Sequence, residues 1–188
     1  LKHLKEQVRS YSTAKFSSYE KRSYYVGALA RINNSTDLLH PAAKRSMEKN
    51  DASFPSFNPY HNNTAQAIEI LHYLERGIEI LQSLKIAEEK PIAAKMRKAR
   101  GVAFVEAPRG ILVHDYDISA RGKIEKANVI TPTAQNLHNI EDDLMKLLPL
   151  MMEQDENTII SETEKLIRAY DPCISCSAHF LRLKWDKR

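Results

Sequence analysis

Two cysteines stand near the carboxy end of this 188-residue chain, in the run RAYDPCISCSAHF. Cys173 and Cys176 are separated by two residues, which lets two sulfurs converge on one ion, and His179 adds a nitrogen three residues later. Thiolates prefer soft or borderline metals such as nickel, zinc and clustered iron. A thiol with its ordinary pKa of about 8.5 is mostly protonated near neutral pH, so a metal must displace those protons. A four-thiolate site needs two more cysteines, and the sequence has none, so another chain or further sequence would have to complete it. On the motif alone a zinc half-site, a redox dithiol and two accidental neighbours all stay open. A thioredoxin-like dithiol lacks the βαβ pattern expected around it.

The elements that must position this pair read as mainly helical with a small antiparallel sheet, an α+β class. The first thirty-odd residues are polar and aromatic with weak periodicity. Asp37 is placed to cap a short helix whose apolar side holds Leu38, Leu39, Ala42, Ala43 and Met47. The Pro, Asn and Ser density of NDASFPSFNPYHNN marks a loop. Asn63 or Thr64 then opens a long helix, with Ile68, Leu71, Leu74, Ile78 and Leu81 on one face, and Lys90-Pro91 breaks it. VAFVEAPRGILVHDYDI and IEKANVIT read as two strands joined by the turn SARGK, the first interrupted at Pro108-Arg109-Gly110. Helical spacing resumes at Leu137, Ile140, Leu144, Leu147 and Met151. A last helix runs from about Thr158 to Tyr170, and Pro172 stops it directly before the cysteines.

Bulk composition excludes several classes. Hydrophobic residues at 43% and charged residues at 28% suit a globular chain that buries a core as one domain or two small ones. No apolar run approaches the roughly 18 residues of a membrane helix, and LKHLKEQVRSYSTAKF has no signal-peptide character. The net charge of +4 is spread among acidic neighbours, the densest cluster being Lys95, Arg97, Lys98 and Arg100; a solvated surface, not a nucleic-acid footprint, is expected. Two cysteines make no secreted disulfide framework and fit a reducing, cytoplasmic location. His72, His114 and His138 lack metal spacing and read as surface or hydrogen-bonded groups, His61 as ordering its loop, and Asn136 as a helix cap or a lining residue.

Several separated segments narrow the reading. DPCISCSAH, residues 171–179, resembles the carboxy-terminal nickel-binding signature of nickel–iron hydrogenase large subunits. EAPRGIL, residues 106–112, resembles the segment that hangs an arginine over the active site. VITPTAQN, residues 129–136, is similar to the segment whose hydroxyl residue faces the iron. Upstream, SYYVGALARIN and FPSFNPYHNNTAQAIE look like stretches of cytoplasmic, multi-subunit members, and the likeness runs in family order from about Ser18 to His179. The resemblance implies that residues 1–188 are the carboxy-terminal portion of such a subunit, a single domain with the long helices of its bundle.

Carried over residue by residue, the resemblance makes Cys173 a terminal nickel ligand and Cys176 a thiolate bridging nickel and iron. The iron would carry cyanide and carbon monoxide inserted by maturation proteins. Arg109 would donate toward cyanide through its fixed fork of donors. Thr133 would be the second cyanide donor, Pro132 would hold the strand end, and Leu112 would pack beside the diatomic ligands. His179 would end the mature chain near a magnesium site. Asp171 would support Arg109 or the cysteine turn, or simply cap that turn. The implied reaction is reversible heterolytic cleavage of dihydrogen, with Cys173 as first candidate base and Arg109 as second, although a guanidinium normally stays protonated. Implied partners are a small subunit with iron–sulfur clusters, the maturation proteins and a processing endopeptidase.

The chain departs from that family in two respects. The amino-terminal half, with its own C-x-x-C pair and the glutamate that begins the proton path, is absent, so the chain alone is expected to be inactive. FLRLKWDKR continues past His179 where family maturation removes a tail, which implies an unprocessed, nickel-free form able to hold zinc or a Cys173–Cys176 disulfide. Two other classes stand beside this reading: a non-catalytic scaffold or assembly protein of the same fold, and a zinc-binding interaction module using Cys173, Cys176 and His179, which would need a fourth ligand.

Overall fold

The computed structural model describes residues 1–93 and 95–177. The class is α+β, mainly helical with small antiparallel sheets. The polar amino-terminal stretch contains a hairpin that its weak periodicity conceals. Strands β1 (Leu4–Gln7) and β2 (Phe16–Tyr19) pair with Leu4 opposite Tyr19 and Gln7 opposite Phe16. Four residues are too few to write a legible alternation, and Phe16 is buried edge-on against the His138 ring at 5.1 Å.

Two helices stand where the sequence suggested one. Helix α1 spans Ala28–Ser35, Asp37 falls in a 3-10 turn, and α2 spans Pro41–Lys49. The cap of α2 is His40, not Asp37. Its Nδ1 accepts from the Ala42 N–H at 3.2 Å, and Pro41 sits at the first helical position, where a missing N–H leaves nothing unsatisfied. Leu29, Ile32, Leu39, Ala43, Ala65 and Ile68 form the core between α1, α2 and the long helix α3, while Leu38 points outward.

Helix α3 spans His61–Ser83, starting before the expected Asn63 or Thr64 and leaving the helical conformation at Leu84, well ahead of Pro91. Asn62, buried in its first turn, spends its carboxamide between elements: it accepts from the Leu29 N–H at 3.1 Å and donates to the Ala169 carbonyl at 2.9 Å. The apolar stripe expected to be core is core only at its start. Ile68 is buried, but Leu74, Ile78 and Leu81 are 63%, 50% and 74% exposed.

Three strands follow, not two, because the Pro108-Arg109 corner is itself a hairpin tip. Strand β3 (Ala99–Ala107) pairs with β4 (Gly110–Ile118) from Ala99↔Ile118 to Ala107↔Gly110, and β4 pairs with β5 (Ile124–Ile130). Val113 and Ile130 are buried, whereas β3 is exposed along most of its length. Helix α4 (Pro132–Leu150) starts five residues before Leu137, with Thr131 as its cap and Pro132 at its first position. Pro132 therefore opens a helix and does not close a strand. Helix α5 (Glu156–Ala169) is capped by Asp155, whose carboxylate accepts from the Thr158 N–H at 3.1 Å. Ile140, Leu166 and Tyr170 bury one another between α4 and α5, and Tyr25 packs against both cores. No described helix is long and apolar enough to cross a membrane.

Candidate metal-binding site

The cysteine pair is presented by the reversal that ends α5. Tyr170 caps the helix, and Asp171 then takes φ 49, the left-handed region that aspartate tolerates better than most residues. Pro172 and Cys173 follow, and a short helical turn, α6 (Ile174–Ser177), carries Cys176, whose N–H donates to the Cys173 carbonyl at 3.1 Å. Both cysteines are free thiols, Cys173 half-buried and Cys176 exposed.

The start of α4 holds this turn. Thr133 is buried in the first turn of that helix, and its Oγ1 accepts the Cys173 backbone N–H at 3.1 Å. The two thiols titrate unequally. A hydrogen bond from Cys176 holds Cys173 below the ordinary thiol range, helped by the Ser175 hydroxyl and the nearby Arg109 charge. The same bond pushes Cys176 up, because its proton is the one being shared.

The β3–β4 hairpin tip delivers Arg109. Its Nε donates to the Asp171 carbonyl at 3.0 Å and lies 3.1 Å from the Asp171 carboxylate. No hydrogen bond or ion pair is made by its terminal nitrogens among the described residues. Gln66, one turn into α3, donates to the same carboxylate oxygen at 3.0 Å. Asp171 thus joins the hairpin tip, α3 and the cysteine turn.

Thr133, Arg109, Asp171, Cys173 and Cys176 are therefore adjoining, although they come from three separated segments. Pro132 adjoins Thr133 as the opening residue of α4. Leu112 is half-buried on β4 opposite Val105. His179 lies outside the described residues. Gln66 and Arg31 were not singled out in the sequence. Both lie in segments quoted for their likeness, but an uncharged amide and one arginine among many carry no spacing signal of their own. Asn136 neither caps α4 nor lines the site: it accepts from the Val26 N–H and donates to the Val26 carbonyl, both at 2.9 Å. Of the remaining histidines, His138 is not the surface or hydrogen-bonded group expected: its ring packs on Phe16, and its Nε2 is buried with no hydrogen-bond partner among the described residues. His72 accepts from the His40 N–H, His114 bonds the Tyr116 hydroxyl, and His61 bonds Ser56 in its loop.

The donor set fits half of a thiolate-bound centre. Two sulfurs share one turn with an arginine and a hydroxyl beside it, yet no described group of three His, Cys, Asp or Glu side chains could hold an ion unaided. Among the described residues the ligand set of such a site is incomplete.

The sequence profile of the nickel-dependent hydrogenases matches residues 2–179. The sulfhydrogenase 1 alpha subunit of Pyrococcus furiosus is 39% identical over 183 residues, covering 96% of this chain and 42% of that protein. The NAD-reducing hydrogenase HoxS beta subunit of Cupriavidus necator is 34% identical over 199 residues, covering 96% and 40%. Among solved structures, an NAD+-reducing [NiFe]-hydrogenase in the H2-reduced state superposes with a TM-score of 0.71 at 25% identity, over 94% of this chain and 42% of that one. The chain thus spans about two fifths of the length of the curated relatives it matches.

Proposed function

Because this chain belongs to the nickel-dependent hydrogenase family, we propose that it forms the carboxy-terminal, metal-holding portion of a hydrogenase catalytic subunit, folded as one domain. The observation that carries this reading is the meeting of three remote segments. Arg109 from the hairpin tip pairs with Asp171, and Thr133 from α4 holds the backbone of Cys173.

In this reading Cys173 and Cys176 supply two of the thiolates of a nickel–iron centre, and the missing part of the subunit supplies the others. When bound, that centre provides the Lewis acidity and redox capacity for reversible dihydrogen cleavage. The chain's own groups do the rest. Thr133 fixes Cys173 by its backbone, so the sulfur is aimed without spending a donor on it. Cys173, as terminal thiolate, is the first candidate to take and return a proton, and Arg109 is the second. Arg109, held at Nε by Asp171, offers its terminal nitrogens to anionic or polar ligands, consistent with cyanide and carbon monoxide on the iron. His179 and a magnesium ion belong to the same proposal, as do Pro132 and Leu112 packing at its edge. An iron–sulfur small subunit, maturation proteins with their endopeptidase, and a cytoplasmic setting complete it. With half of the thiolates, the chain alone does not turn over dihydrogen.

The test is to load the full-length subunit with its partners and measure nickel, iron and hydrogen-dependent dye reduction, beside a Cys173→Ser variant. Stoichiometric nickel and turnover in the parent, both lost in the variant, support the reading. A parent that binds zinc alone, with no turnover, overturns it.

A further inference from the structure

The hairpin tip that carries Arg109 is gripped from behind by a second arginine. We propose that Arg31 is a positioning residue for Arg109, fixing the β3–β4 tip so that the Arg109 guanidinium meets Asp171 and the cysteine turn. This rests on the reading that Arg109 serves a centre bound by Cys173 and Cys176.

Arg31 projects from α1 and uses every donor it has. Its Nε and Nη2 fork onto the Glu69 carboxylate, each at 2.7 Å, and Nη1 reaches the Glu106 carboxylate at 2.8 Å. The two remaining N–H groups donate to the carbonyls of Ala107 at 3.0 Å and Pro108 at 2.8 Å. A guanidinium has five N–H donors in a fixed plane, and five acceptors are met here; a lysine has three on a point charge and cannot reproduce the fork. The side chains of Arg31 and Glu69 are 17% and 10% exposed, so the pair works away from bulk water.

The placement of those bonds matters more than their number. Two of them fall on the main chain immediately before Arg109, at the hairpin tip. The tip also has no room to slide. A Cβ on Gly110 would lie 2.6 Å from Val26 Cγ2, and one on Gly27 would lie 3.0 Å from the Arg109 carbonyl. Glu69 anchors the fork on α3, less than one turn from Gln66, which holds the Asp171 carboxylate from the other side. Both partners in the Arg109–Asp171 contact are therefore referenced to one helix.

The experiment uses the full-length subunit carrying Arg31→Lys, Arg109→Lys and both together. Arg31→Ala is avoided, since it would strand Glu69 with a buried unpaired charge. In the metal-free protein, exchange of the Arg109 Nε–H is followed by arginine-selective nitrogen NMR. Arg31→Lys is expected to speed that exchange at least about tenfold, while α1 and α3 amides keep their protection. In the nickel-loaded protein, the double variant is expected to turn over no more slowly than Arg109→Lys alone. Unchanged Arg109 exchange, or losses that multiply, would overturn the proposal. Should the lysine variant fail to fold, Arg31→Gln with Glu69→Gln removes both charges together and must loosen Arg109 in the same way. A wild-type subunit without hydrogen turnover would sink the functional reading and leave the exchange result to decide this one.

Discussion

Asp171 sits at φ 49, a backbone position that asparagine would also accept, and its carboxylate forms an ion pair with Arg109 and accepts from Gln66. Asp171→Asn should keep the reversal after α5 while removing the charge opposite Arg109. Because that pair is half-exposed, the expected loss of stability is small, about 0–1 kcal/mol. A melt should move little, whereas Arg109 Nε–H exchange should accelerate; a large drop in melting temperature would mean that the carboxylate is a folding element. The cysteines make a second residue-scale prediction. Cys173 is held below the ordinary thiol range by the bond from Cys176, and Cys176 is pushed above it. A lower pKa means more thiolate at a given pH, so alkylation of the metal-free protein should label Cys173 with the lower pH midpoint. Cys176→Ser should raise that midpoint, and two equal midpoints in the parent would show that the thiols do not share a proton.

The helices fix these groups through buried polar contacts that the sequence pattern does not encode. Asn136 locks Val26 to α4, and Val26 with Gly27 seats the Arg109 tip. Asn136→Leu leaves a buried N–H and carbonyl without partners, so a loss of about 2–4 kcal/mol is expected in urea unfolding. A loss under about 0.5 kcal/mol would mean that the backbone finds other partners. Three tyrosines join the same elements. Burial pushes Tyr24 up to about 12 and raises Tyr25, and burial together with Asp143 raises Tyr170. An unfolded tyrosine ionises near about pH 10, so above that pH the unfolded state gives up protons that the folded state keeps. Stability should therefore fall as pH rises from the ordinary tyrosine range toward 12, and Tyr24→Phe should flatten the slope. What the sequence made legible follows this division. The α+β class and the long helices were readable from periodicity and the cysteine pair from its spacing, whereas the Thr133 and Arg109 segments were readable only through their likeness to the family. The β1–β2 hairpin, α1, the His40 cap and the roles of Gln66 and Arg31 were not readable, because they depend on short elements or on partners far away in the chain.

At the scale of the whole molecule, the misread stripe on α3 has a physical meaning. Leu74, Ile78 and Leu81 continue the helical spacing that Ile68 and Leu71 begin, yet all three are exposed, and Ile70 and Tyr73 beside them are exposed too. Much of β3 is in the same condition, with Val102, Phe104 and Val105 open to solvent. Ile70, Tyr73 and Leu74 also line a cleft of about 720 Å³ that ends at Ala107 and Pro108, next to the Arg109 tip. Contiguous apolar surface of this kind marks an interface. On the proposed reading the cover is the remainder of a longer catalytic subunit, since the relatives are more than twice as long as this chain. Each large apolar side chain buried there would contribute about 1.5–3 kcal/mol, enough for a few of them to decide assembly. Leu74→Glu with Ile78→Glu should leave the circular dichroism of the isolated chain unchanged and lower its binding of a hydrophobic dye, since both residues face water there. The same pair placed in the full-length subunit should prevent a stable fold and nickel uptake, because two carboxylates would be buried without partners. A full-length variant that folds and loads nickel normally would show that this face stays in water and that the missing ligands arrive from another side.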